Sequence, residues 1–145
     1  MENNIKTRKA KPGDLHDVYR FICELENQQH DFNVFRTIYI RNLKDPLCYY
    51  YLAFIKKQPV AFISFHIQHL LHHCGKVGEI QELYVDNNFR NMGIGKILVK
   101  EIDRISKIND LKSIEVTSNR KRIDNIKIYE KLGFVFTHNK LTKVV

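Results

Sequence analysis

Tryptophan is absent from this chain, and cysteine, proline and glycine are scarce, with three, three and six among 145 residues. The cysteines, Cys23, Cys48 and Cys74, are odd in number and form no C-x-x-C pair. That argues against a disulfide framework or a structural zinc site and for a reducing compartment. Each reads as a small hydrophobic filler. No apolar run approaches the roughly 20 residues of a membrane span, and the Met-Glu-Asn-Asn opening lacks the pattern of a signal peptide. Acidic residues are outnumbered, 16 Asp and Glu against 24 Lys and Arg, for a formal charge of +8. The expectation is one cytoplasmic domain over residues 1–145, with its own core and no membrane partner. Nucleic acid is a poor explanation of the charge, because the basic residues are scattered and no basic–aromatic module appears.

What the chain does have is a strand that runs into a glycine turn. Glu82-Leu83-Tyr84-Val85-Asp86 is followed by Asn87-Asn88-Phe89 and then Arg90-Asn91-Met92-Gly93-Ile94-Gly95-Lys96, which opens an apolar-striped helix. Such a turn aims several backbone N–H groups at one spot, and the helix N-terminus adds partial positive charge. A pyrophosphate suits that spot. Glycine keeps a Cβ out of its way, and Arg90 adds a charge-assisted donor. The spacing fits neither a P-loop nor a dinucleotide fingerprint, whose third glycine would fall on Leu98. The pattern R-x-x-G-x-G, with Leu-Tyr-Val-Asp before it and Lys-Ile-Leu-Val after it, resembles the acetyl-CoA pyrophosphate loop of the GNAT N-acetyltransferases.

A second signature lies downstream. Asn119-Arg120-Lys121-Arg122 leads into Ile126-Lys127-Ile128-Tyr129-Glu130-Lys131-Leu132-Gly133-Phe134. Gly133 reads as the left-handed residue that stops a helix. The superfamily shows an Asn and then a helix ending in Tyr-x-x-x-Gly-Phe, and the resemblance implies that Tyr129 protonates the departing thiolate. It also implies that acetyl-CoA is the cosubstrate, held by Leu83, Tyr84, Val85, Arg90, Asn91, Met92, Gly93, Ile94, Gly95, Lys96, Asn119 and Asn125. The backbone of Leu83 to Val85 would pair with the pantetheine arm like an added strand.

Periodicity supplies the remaining elements. A strand is expected over Ile5–Ala10, then a helix capped by Asp14 with Leu15, Val18, Ile22 and Leu25 inward. A second helix, capped by Asp31 or Asn33, runs to Asp45-Pro46. Tyr49–Ile55 and Val60–Ile67 form a hairpin about Lys56–Pro59. His69–Lys76 reads as a loop or ragged extension, and Val77–Val85 as the central strand. A helix from Gly93 to Ile108 buries Ile94, Ile97, Leu98, Ile102 and Ile105. Ser113–Thr117 is a strand, Ile123–Leu132 a helix, and Phe134–Thr137 and Lys140–Val144 are closing strands. This is the GNAT order, and the implied fold is α/β: a mixed, strongly twisted sheet flanked by helices, with splayed central strands holding acetyl-CoA.

The acceptor side carries a narrower resemblance. Ile22-Cys23-Glu24-Leu25, Asn42-Leu43-Lys44-Asp45-Pro46, His66-Ile67-Gln68, Leu71-His72-His73 and Gly78-Glu79-Ile80-Gln81-Glu82-Leu83 are similar to the aminoalkylphosphonate N-acetyltransferases. The implied acceptor is a small aminoalkylphosphonic acid, acetylated on its primary amine. Other amines stay open: a polyamine, an aminosugar or a protein N-terminus, as does a non-catalytic acyl-CoA-binding domain. Strand alternation places Glu79 and Gln81 on one face with Leu83 and Val85, and Glu82 on the other. A glutamate on a mostly apolar strand face needs a reason. The resemblance to the histone acetyltransferase branch makes Glu79 a general base through water; a structural carboxylate paired with Lys or Arg is the alternative. His66, His69, His72 and His73 bind a divalent metal with Glu79, or an anionic acceptor, or are a solvated hairpin end. Arg36, His66, His73 and Gln81 are the candidate acceptor ligands, with Arg36 a bidentate clamp for phosphonate oxygens or else a surface salt bridge. No cysteine is placed as a covalent nucleophile. The resemblance leaves a homodimer open.

Overall fold

The computed structural model describes residues 4–120 and 123–145. Segments rich in β-branched and aromatic residues build β1 (Ile5–Lys9), β2 (Cys48–Ile55), β3 (Gln58–Leu70), β4 (Gly75–Val85) and β5 (Ser113–Val116), with β2 and β3 near-continuous apolar runs. They form one sheet in the order β1-β2-β3-β4-β5. Neighbours are antiparallel except β4 and β5, which run parallel. The β2–β3 link is only Lys56-Lys57, both at positive φ, the geometry of a twist-compatible two-residue hairpin turn. Strand β3 therefore starts before the expected turn has ended, and Pro59 is tolerated beside a register shift opposite Ala53 and Phe54. The stretch around His69 is the strand-extension alternative: β3 runs to Leu70, a 3-10 turn spans Leu71–His73, and β4 begins at Gly75.

Helices α1 (Leu15–Glu26) and α2 (Phe32–Leu43) cover one face of the sheet, and α3 (Ile94–Ile108) covers the other; α4 (Ile123–Lys131) follows β5. Asp31 caps α2, accepting from the Val34 N–H at 3.1 Å. Asp14 occupies the N-cap position of α1 without a side-chain cap bond. Its carboxylate is instead gripped by both Arg8 Nη groups, at 2.8 and 3.0 Å, and by the Lys11 N–H at 2.7 Å. Burial alone would raise the pKa of this carboxyl, but the Arg8 and Lys11 hydrogen bonds outweigh it and hold it below the usual range.

The α3 face is filled by Ile63, Phe65, Ile67, Ile80, Leu98 and Ile102, and the α1/α2 face by Val18, Phe21, Tyr39, Leu52, Phe62 and Tyr84. Ile97, expected inward, is only partly buried; Val99 is buried in its stead. The two closing strands are not formed: residues 134–145 carry no strand, and Val135, Phe136, Leu141 and Val144 are exposed. Their short alternating runs carry a strand's pattern, but no ladder is made with β5.

One irregularity sets the geometry of the site. Ser64 on β3 pairs with Glu82, and the next residue, Phe65, pairs with Ile80. Gln81 is the extra residue of a β-bulge, which flips the facing of everything before it. Glu79 is registered opposite His66, on the face of Ser64, Glu82 and Tyr84. The expectation from simple alternation is thereby corrected: Glu79 and Glu82 share one face, and Leu83 and Val85 point to the other.

Just before the bulge, Gly78 lies under the ring of Phe65. A Cβ there would come within 1.9 Å of Phe65 Cζ, and Phe65 is fully buried. Gly78→Ala is expected to destabilise by about 1–3 kcal/mol through overpacking. Urea unfolding would measure it, and Phe65→Leu in the same chain should restore part of the loss. Wild-type stability in Gly78→Ala would show that this contact does not constrain the core.

Candidate active site

The pairing of β4 with β5 stops at Ile80 and Val116, immediately before the bulge. Beyond it β4 continues to Val85 while β5 has ended. The strands part, and the cleft opens into a cavity of about 1590 Å³. Glu79, Gln81, Glu82, Leu83, Thr117, Asn119, Asn125 and Tyr129 are all on its wall. Among the described residues, the β4 backbone from Glu82 to Val85 has no strand partner on this side. Backbone polar groups left this way suit an extended ligand that carries amides.

Past Val85 the chain makes a 3-10 turn at Asn87–Phe89 and enters α3 through Asn91 (φ 64°) and Gly93 (φ 78°). The first N–H groups of α3 have no intrahelical acceptor. Arg90 is exposed, and its Nε donates to the Val85 carbonyl at 3.1 Å, fixing one edge of the guanidinium at the end of β4. Gly93 is explained by its φ. Gly95 is not, since it lies in the first helical turn and is not at positive φ. A Cβ on it would meet only Val85 Cγ2 at 3.9 Å. Alanine would fit and favour the helix by up to about 1 kcal/mol. The protein's own packing does not require this glycine, whereas a phosphate approaching the N–H groups does. The turn therefore fits the pyrophosphate of coenzyme A.

The two carboxylates on the shared face are differently held. Glu79 accepts from Gln81 Nε2 at 3.0 Å and from Thr117 Oγ1 at 3.1 Å, which ties β4 to the end of β5 where the strands part. Glu82 accepts the Ser64 hydroxyl proton, and the Glu82 N–H donates to Ser64 Oγ at 2.9 Å. Tyr129 stands near the end of α4, its ring edge-on to Phe134 at 5.7 Å. The helix stops as expected: Gly133 has φ 97°, and the Phe134 N–H bonds to the Tyr129 carbonyl at 3.0 Å.

The acceptor candidates are not all brought together. Gln81 and His73 reach the large cavity. His73 lies 4.0 Å from Glu115, and its ring is tilted against that of His72 with centroids 4.4 Å apart. His66 is turned toward Cys48, 3.6 Å from its Sγ, and toward Tyr50. Arg36 is exposed on α2 and lines neither this cavity nor the second one described below. Among the described residues no three His, Cys, Asp or Glu side chains gather as a metal site. The divalent-metal reading of the histidines is unsupported, and no step is derived through a metal. Lys121 and Arg122, in the basic run that follows Asn119, lie outside the described residues. Burial pushes the Cys48 thiol up to about 11, so it is a neutral thiol and a poor nucleophile near neutral pH.

A second cavity of about 330 Å³ lies between α1, α2 and the sheet. Val18, Ile22, Phe35, Tyr39, Tyr50 and Phe62 are among its walls, and Glu82 lines both cavities. Strand alternation in the sequence only sets Glu82 on the face away from Glu79, and it points to neither Ser64 nor this cavity. The facing of Glu82 depends on the bulge, which no local pattern announces.

Known proteins bear on this arrangement directly. Residues 14–134 match the model of the acetyltransferase (GNAT) family. The chain is 35% identical over 138 residues to an aminoalkylphosphonate N-acetyltransferase of Salmonella typhimurium, covering 95% of this chain and 90% of that one. A crystal structure described as a transcriptional regulator from Bacillus halodurans shares the fold at a TM-score of 0.90, with 20% identity, over 98% of this chain and all of that one. An aminoglycoside N-acetyltransferase in complex with CoA does so at 0.87, with 16% identity, over 98% and 95%. Among the described residues no helix is long and apolar enough to cross a membrane. With its glycine turn, parted strands and C-terminal Tyr-x-x-x-Gly-Phe, the chain belongs to the acetyltransferase (GNAT) family and is an acetyl-CoA-dependent N-acetyltransferase.

Proposed function

We propose that this protein, acting as one domain, transfers the acetyl group of acetyl-CoA to the primary amine of a small aminoalkylphosphonate. The observation that carries the acceptor class is the 35% identity to the Salmonella enzyme across nearly the whole chain, acceptor side included. The CoA-bound aminoglycoside enzyme of the same fold supports coenzyme A in the cleft. In this reading the pyrophosphate takes the Arg90–Lys96 turn, and the pantetheine arm pairs with Leu83 to Val85. A backbone N–H near Val85 polarises the thioester carbonyl. Asn119 and Asn125 line the same cleft. Among the described residues, Lys107, Arg120 and Lys140 are the Lys and Arg side chains on that wall, and His73 and Gln81 add further donors for phosphonate oxygens.

The amine arrives as an ammonium ion and must lose a proton before it attacks. Glu79 serves as the base, directly or through water, with Gln81 and Thr117 holding its carboxylate in place. The nitrogen lone pair adds to the thioester carbon, the C–S bond breaks, and Tyr129 supplies the proton to the departing thiolate. Of the two protons the nitrogen gives up, one restores the Tyr129 hydroxyl through water and the other passes from Glu79 to solvent.

The glycine argument gives a sharp expectation. Gly95→Ala should keep or raise the melting temperature while weakening acetyl-CoA binding by at least ~10-fold, the scale of one lost charge-assisted hydrogen bond. Calorimetric titration beside a thermal melt measures both, and a folded variant with wild-type affinity would remove the pyrophosphate from this turn. Tyr129→Phe keeps the ring and removes the proton. Its kcat should drop by ~10²-fold with acetyl-CoA affinity little changed; an unaltered kcat where chemistry limits the rate would leave Tyr129 a packing residue. For the acceptor, 2-aminoethylphosphonate should have a higher kcat/KM than ethylamine, because its oxygens gain charge-assisted bonds that the neutral analogue leaves unmade. If a polyamine is the faster substrate and the phosphonate is inert, the phosphonate assignment fails while acetyl transfer stands.

A further inference from the structure

The cleft carries primary amines of the protein's own on its wall. Among the described residues these are Lys107 and Lys140, in the lining that also holds Glu79, Asn119 and Tyr129. An N-acetyltransferase consumes primary amines, so an amine in its own wall is a reactant as well as a charge. The two lysines are held differently. Lys107 stands in the last turn of α3, and Asp103, one turn before it, lines the same wall and favours its ammonium form. Lys140 is exposed, in the segment 134–145 that forms no strand. Among the described residues it makes no ion pair. Its neighbour Asn139 accepts from Arg120 Nη2 at 3.5 Å. Arg120 follows Asn119, a few residues past Val116, where the β4–β5 ladder stops. One side-chain contact thus tethers the stretch beside Lys140 to the end of the parted strands, and no ladder fixes its backbone. A flexible lysine stem on such a segment sweeps the cleft without leaving it.

We propose that Lys140 is a site of self-acetylation: with acetyl-CoA bound and no acceptor present, its amine takes the acetyl group within the same molecule. The steps are those of an external amine. Glu79 accepts a proton from the ammonium, the nitrogen adds to the thioester carbon, the C–S bond breaks, and Tyr129 protonates the thiolate. In balance, the lysine ammonium and acetyl-CoA give Nε-acetyl-lysine, the free thiol of coenzyme A and one proton. The tether replaces encounter, presenting the amine at an effective concentration on the order of millimolar. The modification acts back on the acceptor site. It removes the charge of Lys140 and leaves Lys107 and Arg120 as the Lys and Arg cations on that wall among the described residues. A phosphonate loses a charge-assisted bond, and an amine without the phosphonate loses none. A bound phosphonate in turn occupies Lys140 and shields it. The device slows the enzyme when acetyl-CoA is abundant and phosphonate is scarce. The modification rests on acetyl transfer in the β4–β5 cleft, and its effect on turnover rests on the phosphonate reading proposed above.

Incubation of the purified protein with acetyl-CoA and no acceptor, followed by peptide mass spectrometry, tests it. One acetyl group on Lys140 is expected, at a first-order rate that does not change with protein concentration. That rate should fall ~10²-fold in Tyr129→Phe, and 2-aminoethylphosphonate should suppress it. Lys140→Arg should remove the modification while keeping a cation on the wall. Lys140→Gln, which stands for the acetylated side chain, should lower the kcat/KM ratio of 2-aminoethylphosphonate to ethylamine by ~10-fold, the scale of one lost charge-assisted bond. Acetyl-CoA affinity shows that the fold persists in each variant. Acetyl groups spread evenly over exposed lysines, or reaching Lys140 as fast in Tyr129→Phe, would be uncatalysed chemistry and would overturn the inference. An unmodified Lys140 in a protein that turns over the phosphonate would also overturn it and leave the proposed function intact. A wild-type ratio in Lys140→Gln would overturn the feedback on the acceptor. Self-acetylation with the phosphonate inert would uphold the site and overturn the phosphonate reading.

Discussion

A single inserted residue in β4 organises the site. Positions 79 and 82 are three apart, and in an uninterrupted strand they would face opposite ways. The bulge at Gln81 puts both carboxylates on the α1/α2 face and returns Leu83 and Val85 to the α3 core. It also falls where the β4–β5 ladder ends, at Ile80 and Val116. Bulges bend a strand and end its pairing, so the cleft and the placement of its acids have a common origin. The Gln81 side chain then bonds to Glu79, fixing one acid beside the place where the ladder stops.

This explains what could be read from the sequence and what could not. The Arg90–Gly95 turn was legible because its requirements are local: φ at Gly93, absence of a Cβ at Gly95, helix N–H groups just after. The Gly133 stop is local for the same reason. Glu79 stands out in the sequence as a carboxylate on a mostly apolar strand face, but that face was misread, since strand alternation carries no sign of a bulge. The second cavity was invisible because its walls come from α1, α2, β2, β3 and β4, and each contributes residues that read as ordinary core. Arg36 was chosen by residue type, and residue type does not say which side of α2 meets the sheet. The closing segments carry a strand's alternation, but pairing is a tertiary property that the pattern does not contain.

The two carboxylates divide in surroundings as well as in bonding. Glu79 is held by an amide and a hydroxyl at the rim of the cleft, and Glu82 by a buried serine against aromatic walls. A carboxylate held at an open rim can exchange protons with water, as a base requires. One bonded to a buried serine and facing rings is better suited to hold a cation than to pass protons on. Cys48 takes no part in this division, since it is a neutral thiol near neutral pH and, like its partner His66, lines neither cavity.

The cofactor turn and the second cavity are also joined mechanically, and magnitudes decide how. Arg20 on α1 reaches Asp86, at the start of the turn, at 3.6 Å, but it is shared with Asp17 and Glu24 and is substantially exposed. Such an ion pair contributes at most about 1 kcal/mol. The packing beside it is larger. Phe21 and Tyr84 are buried with ring centroids 5.4 Å apart, and the Tyr84 hydroxyl donates to Glu24 from a phenol that burial and that carboxylate push up to about 12. Two buried rings contribute several kcal/mol through area alone. α1 is therefore held to the end of β4 chiefly by aromatic packing, and salt should loosen this junction little. The wall of the second cavity and the turn proposed for the pyrophosphate are thus carried on one rigid contact.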